Sequence, residues 1–226
     1  MAPTYQTRTI AGITVYDTPL ITAAISYAKE QNDKMSFNHV YRSWLFGCLI
    51  APKVPTFKEV DLEVHAVAAI LHDLAWDYRS PLATKDKRFE VDSANAARDF
   101  LKSKGADFDE RQVQIVWDSI ALHTTPSIAQ HKEAEVALCS LGITGDLMGP
   151  GLPGGLITKE EYNAVIAEVP TLNMKEGIKN LLCGICVHKP GTTYDNFVRD
   201  FGESYVEGYS SEGKLAVDFL MGPIES

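Results

Sequence analysis

The chain has 226 residues, 45% hydrophobic and 23% charged, with a net charge of -9 at pH 7. That length buries one sizeable core, and that composition belongs to an ordinary soluble globular protein of one domain. The acidic balance, with no basic stripe to neutralise phosphates, excludes nucleic acid as the natural partner.

The N-terminal MAPTYQTRTIAG lacks the apolar run of a leader, and no apolar segment is long enough to span a bilayer. The expectation is a cytoplasmic protein with no membrane partner. ITVYD at 13–17 is the only strand candidate. Apolar residues at helical spacing predict helices over 18–31, 38–50, 62–76, 91–104, 109–122 and 133–148. Asp17, Thr18 and Pro19 mark a helix start, APKVPTF at 51–57 is a proline connection, and Gly105 ends one helix before Asp109 caps the next. MGPGLPGGL at 148–156 is the clearest break, and the residues after it predict only short helices. The fold class is therefore all-α, with a core at about 17–149 and a helical C-terminal elaboration over 150–226. Apolar C-terminal pieces such as LAVDFLMG suit pairing of subunits into a homo-oligomer.

Cys48, Cys139, Cys183 and Cys186 sit in apolar surroundings that suit a reducing compartment. Cys183 and Cys186 form a C-x-x-C with His188 behind, but LLCGICVH reads as an apolar helix, and one C-x-x-C supplies half a zinc site.

Four residues stand out chemically: His39 in SFNHVYRSWLFG, the doublet His72 and Asp73 in AAILHDLAWD, and Asp146 in LGITGDLMG. Each lies in an apolar run where burying it costs several kcal/mol, roughly, unless it has a partner. A lone histidine there is more often a hydrogen-bonded core residue. Three such positions on separate predicted helices favour a site, and imidazole with carboxylate suits a divalent metal that activates water. Adjacent residues on an ideal helix diverge by about 100°, so His72 and Asp73 share an ion only if it sits beside the helix between them.

The ordered pattern of His39, His72 with Asp73, and Asp146 resembles the HD superfamily of metal-dependent hydrolases, and within it the cyanamide hydratase-like branch of fungi and bacteria. The resemblance is carried by DTPL (17–20), NHVYRSWLFG (38–47), LHDLA (71–75), RFEVDSANAARDFL (88–101), IALHTTPSIA (120–129), EVALCSLGITGDLMG (135–149) and KPGTTYDNF (189–197). It implies an HD-domain helical bundle with His39, His72, Asp73 and Asp146 around one divalent transition metal: zinc first, then iron, manganese, cobalt or nickel. The activity it implies is hydration of a small nitrile-like or amide-like molecule, cyanamide to urea, by metal-activated water.

Around that set, His123 in IALHTTP is the leading acid/base or substrate-orienting group, weighed against a histidine that caps a carbonyl at its helix end. Glu90 and Asp77 are weaker catalytic candidates, either of which could fix a ligand histidine. Lys85 and Arg88 would bind an anionic group, and Trp44 and Trp76, with Phe37 and Tyr78, would wall the pocket. His65 and His131 read as structural or exposed. Many HD phosphohydrolases carry a carboxylate three residues after the doublet aspartate, where this chain has Trp76. That narrows the pocket and argues against nucleotide cleavage. The alternatives are a phosphohydrolase using Lys85 and Arg88 as an anion clamp, and a non-catalytic protein that keeps metal or ligand.

Overall fold

The computed structural model describes residues 5–222, so the first four residues of the segment read for a leader lie outside it. A hairpin comes first. Strands β1 (Thr7–Ile10) and β2 (Ile13–Tyr16) pair antiparallel, Thr7 opposite Tyr16 and Ile10 opposite Ile13. Ala11 and Gly12 both take positive φ, 50° and 80°, the two-residue turn whose twist matches the strands. Only β2 was predicted, because Ile13 and Val15 alternate into the core while TRTI stays exposed or half-buried and shows no apolar face.

The rest is helical, as the pattern required. Helix α1 (Pro19–Gln31) starts on Thr18, whose hydroxyl accepts from the Ile21 N–H. Asp33 caps α2 (Lys34–Ile50) and starts it four residues before the predicted point. Asp61 caps α3 (Leu62–Leu71). The left-handed Gly105 closes α4 (Phe89–Lys104), and Asp109 and Gln112 form a capping box on α5 (Glu110–Ala121). The single turn α6 (Pro126–Ala129) leads into α7 (Ala134–Met148). Then come α8 (Lys159–Glu168), α9 (Met174–His188), α10 (Val198–Tyr205) and α11 (Ala216–Leu220). At 15 residues α9 is longer than the short C-terminal helices expected. It carries the C-x-x-C as an apolar turn, with Cys186 buried and its thiol donating to the Val198 carbonyl. Helix α11 leaves Val217, Phe219 and Leu220 exposed.

Helix α2 runs through the centre, packed against α3 on one side and α7 on another. Its crossing with α7 is close because Gly142 has no side chain: a Cβ there would lie 2.6 Å from the Ser43 carbonyl oxygen. One turn along each helix from that crossing, His39 and Asp146 meet. A second apolar cluster, Trp76 and Phe89 with Leu181, Leu182, Ile185 and Val198, seats α9 and α10 over the start of α4. The buried Lys189 Nζ fastens the same junction, donating to the Thr84 carbonyl and to Asp92.

His65 is structural. The Nε2–Cε1 edge of its ring fills the space that a Cβ on Gly47 would need, with Nε2 3.4 Å from the Trp44 carbonyl and Nδ1 without a partner. Burial pushes its pKa down to about 4, so it is neutral when folded and must be protonated on unfolding below its ordinary value. Between those two values the unfolded chain binds more protons, and stability falls as pH falls. The window runs from about 6.5 down to about 4, with roughly 2 kcal/mol lost by pH 5. Urea unfolding of wild type and His65→Phe at pH 7 and pH 5 measures it. The variant should lose that share of the acid sensitivity, and an unchanged pH difference would assign the effect elsewhere.

Candidate metal centre

The three histidines owe their orientation to what their Nδ1 atoms do. On α2, His39 Nδ1 donates to Asp146 Oδ2 at 2.7 Å. Helix α3 stops at Leu71, and His72 follows as its C-cap. The last carbonyls of a helix lack an N–H partner, and His72 Nδ1 takes up Ala69 O at 2.8 Å. The same device recurs after α5, where His123 Nδ1 reaches Ile120 O at 2.6 Å. With each Nδ1 carrying the proton, each Nε2 presents a bare lone pair.

These lone pairs converge with a carboxylate. His39 Nε2 and His72 Nε2 are 3.3 Å apart, and Asp73 Oδ2 lies 3.1 Å from His72 Nε2 and 3.6 Å from His39 Nε2. His123 Nε2 stands 3.6 Å from Asp73 Oδ1, too far to bond, so that buried oxygen has no partner. The doublet converges although His72 keeps helical dihedrals, φ -64° and ψ -28°: its Nε2 and Asp73 Oδ2 still come within 3.1 Å.

Acceptors packed this closely repel unless a cation or a proton is shared. His39, His72 and Asp73 each offer a ligand atom within 4.8 Å of the others, and all three are buried. The two histidines also have the outer anchors that metal-binding imidazoles need, a carboxylate for one and a carbonyl for the other. The donor set therefore fits a divalent transition metal. Its electrostatics agree. Burial alone would lower the His72 pKa, but Asp73 outweighs it and holds it above the ordinary value. Burial would likewise raise Asp73, yet His72, then His123 and His39, keep it low. At His123 burial wins, with His72 adding to it, and the pKa is pushed down to about 4.

Asp146, expected as a fourth ligand, sits behind His39. Its carboxylate is gripped by Arg42, with Nε on Oδ1 at 2.6 Å and Nη2 on Oδ2 at 2.8 Å, while Oδ2 also receives His39. Burial would raise the Asp146 pKa, but these two partners hold it low. Arg42 is fully buried and also donates to the Pro170 carbonyl.

A family model of the HD domain matches residues 36–160, more than half of the chain, and spans all of these residues. The chain belongs to the HD domain family. HD domains are typically metal-dependent hydrolases that bind divalent metals, and the His39, His72 and Asp73 group is where this HD domain could hold one. No curated protein matches the chain. Among the described residues of this HD domain protein, no helix is long and apolar enough to cross a membrane.

A cavity of about 240 Å³ opens onto the cluster. His39, Asp73 and His123 form one wall with Trp76, Phe89, Thr124 and Pro126. Ile143, Thr144 and Leu147 of α7, with Ile178, Leu182 and Phe197, complete it. Trp76 stacks on the His39 ring at 5.6 Å and donates its indole N–H to Ser36.

Other predicted residues fall outside this cavity. Trp44 is fully buried in the main core, because five residues beyond His39 is about 140° around the helix. Phe37 packs on that core, and Tyr78 stacks on His188. The turn after the doublet that points Trp76 inward leaves Asp77 half-buried on Arg79 at 2.7 Å. Lys85 is exposed, as is His131. Arg88 is half-buried and clamps Glu90 at 2.6 Å. Glu90 is buried behind the wall and accepts from the Thr124 hydroxyl. Sequence reasoning missed Arg42, Thr124, Thr144 and the contribution of α9. Arg42 left one signal, a lone arginine inside the apolar run after His39.

Proposed function

We propose that this protein is a metal-dependent hydratase or hydrolase of a small uncharged molecule, nitrile-like or amide-like, of the cyanamide-to-urea type that its resemblance implies. The observation that carries the reading is a cluster of bare acceptors on the wall of a largely apolar cavity whose lining includes no lysine or arginine. A phosphate ester would need a cationic clamp, and Lys85 and Arg88, the candidates for it, do not line the cavity.

His39, His72 and Asp73 would hold the ion, with Asp146 and the Ala69 carbonyl fixing the two imidazoles. When bound, such an ion supplies Lewis acidity and a water acidic enough to act as a nucleophile near neutral pH. Trp76, stacked on His39 and lining the cavity, would narrow the space in which water and substrate lie beside the cluster. His123, neutral near pH 7, accepts a proton at Nε2 and can return it to the substrate nitrogen. Hydration adds water across the C–N multiple bond, so nothing leaves and no redox partner is required.

The test is metal content together with urea formed from cyanamide, against phosphate released from a small phosphomonoester. Urea supports the reading, and phosphate release overturns it. His123→Ala should keep its metal and lose about 10²-fold or more in turnover. Loss of the metal in that variant would make His123 a ligand instead.

A further inference from the structure

We propose that the face carried by α11 is where two copies of this chain pair, and that the pairing reaches the rim of the cavity. The segment that carries this face is held in place by its own chain. Ser211 donates through its N–H and its hydroxyl to Glu203 Oε1 at 2.8 and 2.6 Å, and the Lys214 ammonium lies 4.7 Å from the centre of the Tyr194 ring. Asp218 accepts from the Leu215 N–H at 2.8 Å, which steadies the start of α11. Past that anchor the apolar side chains turn outward. Val217 is 55% exposed, Leu220 73%, Phe219 77% and Met221 78%. A helix this short cannot hold itself by its own hydrogen bonds and depends on burying an apolar face. Within one copy no residue of α11 is buried.

Area and charge both select a second copy as the occupant. A large side chain presents roughly 150–250 Å², so these four leave on the order of 500 Å² of apolar surface uncovered. Two copies that meet through them hide about 1,000 Å², the size at which a contact becomes a specific interface. A chain of net charge -9 repels its own copies. Around α11 that repulsion is relieved. The two hollows that flank it are lined by Arg88, Arg199 and Lys214 against Asp86, Asp195 and Asp200, three cations and three anions. A lipid surface is the other apolar partner to weigh, but the apolar residues that bind one are rimmed by an excess of lysine and arginine, and here the signs balance.

Phe197 joins this face to the cavity. It lines the cavity beside His39 and Asp73, and it also lines the hollow beside Val217. A partner seated on α11 therefore stands at the cavity rim, whatever reaction the cavity performs.

Sedimentation equilibrium of the purified full chain over a concentration series should give about twice the 24.9 kDa mass of one chain. Phe219→Asp with Leu220→Asp should bring the mass down to that of one chain. Circular dichroism should stay unchanged, because both side chains already stand in solvent. The apolar pair Phe219→Leu with Leu220→Met should keep the dimer. So should Leu172→Asp, which charges an exposed leucine before the start of α9, at the end away from the loop that packs on α11. Hydrogen exchange over 194–200 and 215–221 should slow as the wild type is concentrated. A wild type that stays at the mass of one chain, or a dimer that survives the aspartates, would overturn the proposal. Flotation of single chains with phosphatidylcholine vesicles would do the same and assign the face to a membrane.

Discussion

His72→Ala and Asp73→Asn should each purify with almost no metal, while the unaltered chain carries a full complement. Two of the three clustered donors cannot hold an ion in a buried site against hydration, and the remaining pair also loses its convergence. Asp73→Asn is the cleaner variant because it keeps volume and removes charge. In His72→Ala the Ala69 carbonyl loses its partner and a small cavity opens, which costs about 1–3 kcal/mol and leaves the helices intact. Elemental analysis beside circular dichroism separates the outcomes: stoichiometric metal in either variant would remove that residue from the ligand set. Binding should also weaken as pH falls. His72 holds a proton more tightly than an ordinary histidine because Asp73 faces it, and an incoming cation must displace that proton. The drop should therefore set in above the ordinary histidine value of about 6.5. A metal affinity flat across that range would contradict a shared site for proton and ion.

The helices were legible because their signals are local. Thr18, Asp109 and Gly105 sit at the boundaries that capping chemistry assigns them, and the apolar spacing between them survives in the fold. The end of α3 was not legible. The reading carried it through Trp76, since no glycine or proline interrupts LHDLAW. What marks the break is the His72 side chain taking the Ala69 carbonyl and the Ser93 hydroxyl bonding the Ala75 N–H from another helix. The residues of the site were singled out by chemistry at unlikely places, a histidine or aspartate within an apolar run. Their division of labour was not. Whether Asp146 touches an ion or backs His39 depends on Arg42, which lies 104 positions earlier in the chain. Trp44 and Trp76 looked equivalent, and only the phase around α2 and the turn after the doublet send one to the core and the other to the cavity.

Arg42→Met is expected to be the most destabilising substitution near the site. It leaves the Asp146 carboxylate, fully buried, with His39 as its only remaining side-chain partner. An unpaired buried charge costs about 3–5 kcal/mol, here a fall in Tm of roughly 10 °C. The loss should extend beyond the pair, because the same guanidinium donates to the Pro170 carbonyl and touches Met174 at the start of α9, the helix that closes the cavity. Combining Arg42→Met with Asp146→Asn removes both charges and should recover part of the stability. A double variant no better than Arg42→Met alone would show that the ion pair is not what stabilises the junction. Asp146→Asn alone settles the role of the carboxylate. If it backs His39, the amide oxygen still accepts from Nδ1, the ion stays, and affinity falls about 10–100-fold. If it is itself a ligand, the variant loses its metal as completely as His72→Ala does, and the centre has four protein donors.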